Sequence, residues 1–342
     1  MKLLFYPVVL SLLILGCSQP KKYHHKSDNF KLVKLADRAY ACIHKTGGKA
    51  ICNAGIIDNG RETIIFDSFI TPVVAQELLQ LVKGLGLSPI RYVINSHYHN
   101  DHIRGNQVFD EDVKIISTRE TARLIAENEP LNIAYEKEHA PARYHHFDSL
   151  HRAFDGDIHS REYTVIQMWR PYYEVLSKSH EEIVTRLPDT FVDDELSLDG
   201  PFRQVQLITR GEGHTPSDLI LYLPEDGIAY TGDLVFNDCH PYLADGDPQS
   251  LIGWLNYMQT LDIQRIVPGH GPVGNASEVE EMKDYLLTLQ GEAQRLMKEN
   301  KHPDELTSAD IPDRFKDWWF EQFYFFNLDF LISKSPESTT SG

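Results

Sequence analysis

Between Lys31 and Phe69, apolar and β-branched residues recur with a period of two between glycine turns. The runs 39–43, 50–57 and 62–67 predict successive antiparallel strands. At Thr71 the period changes. Thr71 caps, Pro72 occupies the first turn, and Val74, Leu78, Leu79, Leu81 and Val82 form one stripe of a helix that Gly84 and Gly86 end. The run 90–95 is a short strand of buried type that delivers Ser96 and His97. Strands are also predicted at 113–117, 202–209, 219–223, 228–230 and 266–267. Helices are predicted at 249–261 and from Ala276 to about Asn300, and the aromatic stretch Phe315 to Phe330 predicts a helix lying on the core.

Between these elements, residues 119–199 are poor in glycine and carry nine basic against seventeen acidic residues. Helices are expected from Thr118 or Arg119 through Asn128 and from Pro171 to Leu187. The stretch therefore reads as an inserted, mostly helical subdomain of a domain spanning 31–300, with 301–335 as a separate aromatic segment. At the other end, Lys2 precedes an apolar run from Leu3 to Leu15, too short to span a bilayer comfortably and better suited to a secretory signal over 1–16. The residues Ile14-Leu15-Gly16-Cys17 resemble a bacterial lipobox, which implies lipidation at Cys17 and a polar tether over 17–30 that anchors the chain in the bacterial cell envelope. Export would place Cys42, Cys52 and Cys239 in an oxidising compartment. Cys42 and Cys52 flank a turn-like Thr46 to Lys49, so they fit either a disulfide across a hairpin or two core thiols.

Composition narrows the function. With 42% hydrophobic residues in 342, the chain can bury a large core, and a net charge of −17 disfavours a polyanionic partner such as nucleic acid. The sixteen histidines matter for where they fall. His97-Tyr98-His99-Asn100-Asp101-His102 sets three imidazoles and a carboxylate directly after a strand, and His214, Asp233 and His270 each follow a predicted strand. Imidazole and carboxylate together suit zinc, iron or manganese and do not suit calcium. In the insert, His139, His145, His146, His151, His159 and His180 show no ligand spacing and are expected to be solvated or hydrogen-bonded.

This set, HxHxDH followed by single His, Asp and His, resembles the metallo-β-lactamase-fold hydrolases, and the likeness runs in motif order over 31–300. The resemblance implies an α/β fold, an αββα sandwich carrying the helical insert. It further implies two Zn²⁺ ions, with iron or manganese as substitutes: His97, His99 and His214 on one, Asp101, His102 and His270 on the other, and Asp233 bridging. The activity implied is hydrolysis of a small ester, lactone, thioester or amide by a hydroxide held between the ions, with Asp101 both ligand and acceptor that orients it. Asp233 stands where cysteine-ligand β-lactamases carry Cys, and Cys239 six residues later does not replace it. The run Gly232 to Asn237 with His240-Pro241-Tyr242 resembles uncharacterised exported hydrolases, and His240 and Tyr242 either contact substrate or pack the loop. Ser217, where many relatives carry glycine, touches no ligand. Within the same frame, a β-lactamase using only His and Asp ligands and a di-iron oxidoreductase are the alternatives, and a metal-binding protein without turnover is the third.

Overall fold

A computed structural model describes residues 26–335. The signal segment 1–16, the lipidation site Cys17 and most of the tether lie outside the described residues. The first sheet has seven strands in sequential order: β1 (Phe30–Ala36), β2 (Ala39–His44), β3 (Ala54–Asp58), β4 (Thr63–Phe66), β5 (Ile90–Ile94), β6 (Lys114–Ser117) and β7 (Thr190–Phe191). Pairing is antiparallel from β1 to β4 and parallel from β4 to β7. The second sheet runs β12 (Arg265–His270), β11 (Ile228–Phe236), β10 (Asp218–Leu223), β9 (Gln204–Gly211) and β8 (Glu195–Asp199), with only β11 and β12 parallel.

Helix α1 (Pro72–Leu85) covers the first sheet. Its ends follow the predicted chemistry: Thr71 accepts from the Val74 amide, Pro72 opens the first turn, and Gly86 closes it at φ 65°. Helices α5 (Pro248–Met258), α6 (Ser277–Glu299) and α7 (Gln322–Ser333) cover the second sheet. Strand alternation decides which layer each side chain joins. Ile56 and Ile65 turn toward α1, while Ile57 and Ile64 turn into the space between the sheets. In β10, Leu219, Leu221 and Leu223 face the first sheet and Ile220 and Tyr222 pack beneath the outer helices. The result is the four-layer αββα sandwich, buried on both faces of both sheets.

The insert differs from its sequence reading. Helix α3 (Arg119–Ala153) continues through Pro130 and Pro141, and α4 (Arg161–Lys178) contains Pro171 rather than starting at it and stops well before Leu187. An interior proline removes a helical hydrogen bond, but here tertiary contacts outweigh local preference. The two helices run antiparallel, with Phe147 stacked on Tyr173 at 5.6 Å, Arg170 donating to Asp148 at 2.9 Å, and the Tyr163 hydroxyl 3.2 Å from the His151 ring. Residues 190–199 are not helical: they supply the edge strands β7 and β8. In the C-terminal segment the helix is confined to α7, and Phe315 to Phe320 form turns that fill the core under α6. Among the described residues no helix is long and apolar enough to cross a membrane.

Cys42, Cys52 and Cys239 are buried free thiols. The hairpin register explains why the first two do not bond. Cys42 pairs with Ala54 across β2 and β3, and Cys52 lies outside the ladder with its thiol donating to the Asp101 carbonyl at 2.8 Å.

Candidate metal centre

The seven predicted residues meet at one rim of the sandwich. His97, His99, Asp101 and His102 follow β5, the last two in the one-turn helix α2 (Asn100–Ile103). His214 follows β9, Asp233 lies in β11 and His270 ends β12. Asp233 is the hub: its Oδ2 lies 3.5 Å from His214 Nε2, 3.4 Å from His270 Nε2 and 3.9 Å from His97 Nε2, and its Oδ1 lies 3.2 Å from His102 Nε2. Asp101 Oδ2 stands 3.3 Å from His270 Nε2 and 3.5 Å from His102 Nε2, and His99 Nδ1 is 3.3 Å from His214 Nε2. The donor atoms fall into two adjoining groups, one of His97, His99, His214 and Asp233 and one of His102, Asp233 and His270, with Asp101 facing the second. Glycine makes this approach possible. A Cβ on Gly269 would sit 1.8 Å from Asp233 Oδ1, and Gly232 holds φ 53° against Ser96.

A shared hydrogen-bond relay sets the imidazole tautomers. Asp67, buried at the end of β4, accepts from the Ser96 amide at 2.8 Å, from the Ser96 hydroxyl at 2.9 Å and from His102 Nδ1 at 2.8 Å. With its own proton given to Asp67, the Ser96 oxygen accepts from His97 Nδ1 at 2.9 Å. His99 donates from Nε2 to Asp245 at 2.9 Å, and Asp245 also accepts from the Tyr98 hydroxyl. Each outward nitrogen is thereby occupied as a donor, so His97 Nε2, His102 Nε2 and His99 Nδ1 are the atoms turned toward the cluster, His102 Nε2 offering a lone pair to a cation once it gives up its proton. His97 Nε2, His102 Nε2 and Asp233 Oδ1 are fully buried and lack a hydrogen bond of normal geometry. Orphaned buried atoms that converge on one point are what a cation would satisfy, so the residues fit a divalent metal.

Electrostatics agree. Burial opposes charge on Asp101 and Asp233, yet the imidazoles of His102 and His270 hold Asp101 down at about 2 and Asp233 well below the usual carboxylate range. Burial likewise opposes charge on His270, but Asp233 and Asp101 hold it up at about 9, and the anionic groups around His102 keep it well above an ordinary imidazole. His97 and His214 go the other way, pushed down chiefly by burial, His214 to about 3. Without a cation, the half of the cluster that contains Asp101 is held together by protons on His102 and His270.

Of the two residues assigned to substrate contact or loop packing, the structure separates the roles. His240 is completely buried, its Nδ1 3.0 Å from the Tyr285 hydroxyl and its ring among Tyr285, Trp318 and Tyr324, so it does not reach the cavity. Tyr242 lines it, 6.2 Å from the His99 ring. Four neighbours had no motif to mark them. Asp67 and Asp245 orient ligands, Cys52 lies within ligand distance of Asp101 and His102, and His44 lines the cavity 6.0 Å from the His270 ring. Asp67 follows β4 in the left-handed region at φ 58°, a feature the sequence does not show.

Above the cluster opens a cavity of about 640 Å³, walled by α3 and α4 of the insert, the β2–β3 loop, and Phe320 and Phe323 flanking the start of α7. Residues 47–270 match the sequence profile of the Metallo-beta-lactamase superfamily. The chain belongs to the metallo-β-lactamase superfamily. Among curated relatives, it is 29% identical over 153 residues to the "Beta-lactamase-like protein 2 homolog" of Caenorhabditis elegans, an alignment covering 42% of this chain and 46% of that protein. The chain thus spans about half the length of the curated relative it matches. Among solved structures, it superposes on a metallo-β-lactamase from Pontibacter korlensis with a TM-score of 0.54 at 18% identity, covering 76% of this chain and 99% of that one. The stereoselective inverting sec-alkylsulfatase Pisa1 from Pseudomonas sp. gives 0.65 at 17% identity, over 90% of this chain and 50% of the other. At these identities the structural likeness speaks for the metallo-β-lactamase fold alone.

Proposed function

We propose that this member of the superfamily is a dinuclear metal-dependent hydrolase, with zinc as the preferred ion, acting on a small ester, lactone, thioester or amide. The observation that carries the reading is the convergence of seven imidazole and carboxylate donors at the floor of a cavity large enough for a substrate. His97, His99 and His214 would hold one cation, Asp101, His102 and His270 the other, and Asp233 both. When bound, divalent cations in such a site supply Lewis acidity and lower the pKa of water. Asp101, which lines the cavity with a carboxylate kept ionised by its neighbours, accepts a hydrogen bond from an incoming water and fixes its orientation. Phe236, stacked on His270, and Tyr242 close the floor on either side and limit the water that reaches it. The test is a panel of chromogenic ester, lactone, thioester and amide substrates, with nitrocefin for β-lactam cleavage, run on protein reconstituted with zinc, manganese or iron. Turnover of one of the named classes by the zinc form supports the reading, and metal uptake without hydrolysis of any member defeats it.

The protons on His102 and His270 yield a second expectation. At pH 7 the metal-free cluster carries protons that a cation must displace, so metal uptake is expected to release protons and to tighten as pH rises to about 9, where His270 has lost its own. The sign for metal-free stability is the reverse. A histidine raised from 6.5 to about 9 contributes stability fully present below 6.5 and lost as pH climbs through 9. Calorimetric titration of zinc in buffers of contrasting ionisation enthalpy measures the release; uptake with no proton transfer would contradict it.

We further propose that Cys17 is lipidated and ties the catalytic domain to the bacterial envelope, on the strength of the apolar run and Gly16-Cys17 that precede the tether. Labelled palmitate is expected to enter the wild-type chain expressed in a bacterium, and Cys17→Ser is expected to lose both label and membrane association.

A further inference from the structure

The floor of the cavity accounts for cleavage; its walls and rim bear on what is cleaved. The wall formed by α4 and the C-terminal segment is aromatic. Trp169, Tyr172 and Tyr173 project from α4, and Phe320 and Phe323 face them from the C-terminal segment, all only partly buried. Trp169 bridges the two groups, stacked on Tyr173 at 5.7 Å and edge-on to Phe320 at 5.3 Å. That side of the cavity offers apolar contact and ring faces to a bulky ligand, while α3 opposite it adds the polar side chains of Asn128, Asn132 and His139.

The charges around the cavity are distributed unevenly for so acidic a chain. Every carboxylate that lines it is engaged: Asp101 and Asp233 in the cluster, Asp245 by His99 and Tyr98, and Glu136 by Arg104. Of its two cationic side chains, Lys45 donates to the Ser27 carbonyl. Arg143 on α3 has no carboxylate partner among the described residues. Its guanidinium lies over the Tyr173 ring at 5.5 Å and donates to the Tyr173 hydroxyl at 3.2 Å, a neutral partner that orients the group without cancelling its charge. An arginine held over an aromatic ring, with N–H groups to spare, is suited to a carboxylate or sulfonate.

We propose that the insert selects an amphiphilic substrate, an aromatic or long apolar body lying between Trp169, Tyr173 and Phe323 and bearing an anionic group that Arg143 binds at the rim. The inference deepens the hydrolase reading by naming the substrate class of the same site, and it also makes a claim about binding that needs no turnover. Sequence alone could not have suggested it, because Arg143 lies among the solvated histidines of α3 and gains its meaning only when α4 folds back against it.

The test uses the full chain loaded with zinc and two matched pairs of probes. One pair is a naphthylamine dye with a sulfonate, 8-anilinonaphthalene-1-sulfonate, and its neutral counterpart N-phenyl-1-naphthylamine, followed by fluorescence. The other is the 4-nitrophenyl monoester of an eight-carbon dicarboxylic acid and 4-nitrophenyl octanoate. The wild type is expected to prefer the anionic member of each pair it accepts. Arg143→Gln is expected to lower that anionic-to-neutral ratio about tenfold, a magnitude set by a charge-assisted hydrogen bond discounted for its solvent-exposed position. Arg143→Lys, which keeps the charge and loses the fork, is expected to fall between. A ratio that is unchanged in Arg143→Gln, or a wild type that binds the neutral dye as tightly as the anionic one, overturns the proposal. Dye preference that depends on Arg143 with neither ester cleaved sustains the ligand class and counts against ester cleavage, while failure across the ester, lactone, thioester and amide panel as well removes the hydrolase reading.

Discussion

Asp233→Asn is expected to reduce bound metal from two ions to one or fewer per chain and to lower turnover by more than about 100-fold, the upper end of losses when merely a partner of a metal ligand is changed. Among the described residues, no other belongs to both halves of the cluster. Its two oxygens lie 3.2–3.9 Å from four imidazole nitrogens, one each on His102, His97, His214 and His270. Asparagine keeps the size, so the steric fit against Gly269 survives. It removes the negative charge, and it turns an NH₂ group toward nitrogens whose lone pairs the Ser96–Asp67 relay directs to the same place. Because Asp233 is also the largest influence holding His270 near 9, the variant should release fewer protons on taking up zinc. Metal analysis, kinetics on whichever substrate the wild type cleaves, and melting in a chelator together separate this outcome from unfolding. A variant that retains two ions and the wild-type rate would show that Asp233 is not the shared ligand.

The seven candidate ligands were legible because each combines two local signals. His97 to His102 form a dense donor run after an apolar strand, and His214, Asp233 and His270 each stand beside a glycine near a strand end, in a chain whose strand periods are clear. The residues that orient them were not, since Asp67, Ser96 and Asp245 acquire their roles from contacts 29 to 146 positions apart in sequence. His240 and Tyr242 show the limit most sharply. Two residues apart in an irregular loop that follows Asp238 at φ 57°, they have no strand period to fix their directions, and one ends in the aromatic core while the other lines the cavity. Helix lengths in the insert failed for a different reason. Pro130, Pro141 and Pro171 each argue locally for a break, and what carries the helices through them is the packing of α3 on α4, information that belongs to the pair.

Arg104→Ala is expected to destabilise the protein by about 3–5 kcal/mol, the range for removing one partner of a buried ionic group, and to loosen the insert from the sandwich. Arg104 follows α2 and is 3% exposed; Glu129 and Glu136, both on α3, are 2% and 6% exposed. Its Nε donates to Glu129 at 2.6 Å, and Nη2 and Nη1 approach the two oxygens of Glu136 at 3.0 and 2.9 Å, so one guanidinium neutralises two carboxylates that burial already pushes above the usual range. Taking away the cation leaves both acids in the interior. They can then avoid charge only by binding protons, so their folded pKa values rise further, and the variant should lose stability as pH increases from 5 to 8 more steeply than the wild type. The damage also reaches the metal centre, because Asn100, the residue before Asp101, donates to Glu136 at 2.6 Å and links the ligand turn to the insert. Replacing the trio together, Arg104→Met with Glu129→Leu and Glu136→Leu, is expected to restore most of the stability without the pH dependence, though not the Asn100 contact. Urea melts at pH 5 and pH 8 decide the matter: a loss below about 1 kcal/mol that does not vary with pH would mean that water reaches these charges and that the insert is held by its apolar contacts alone.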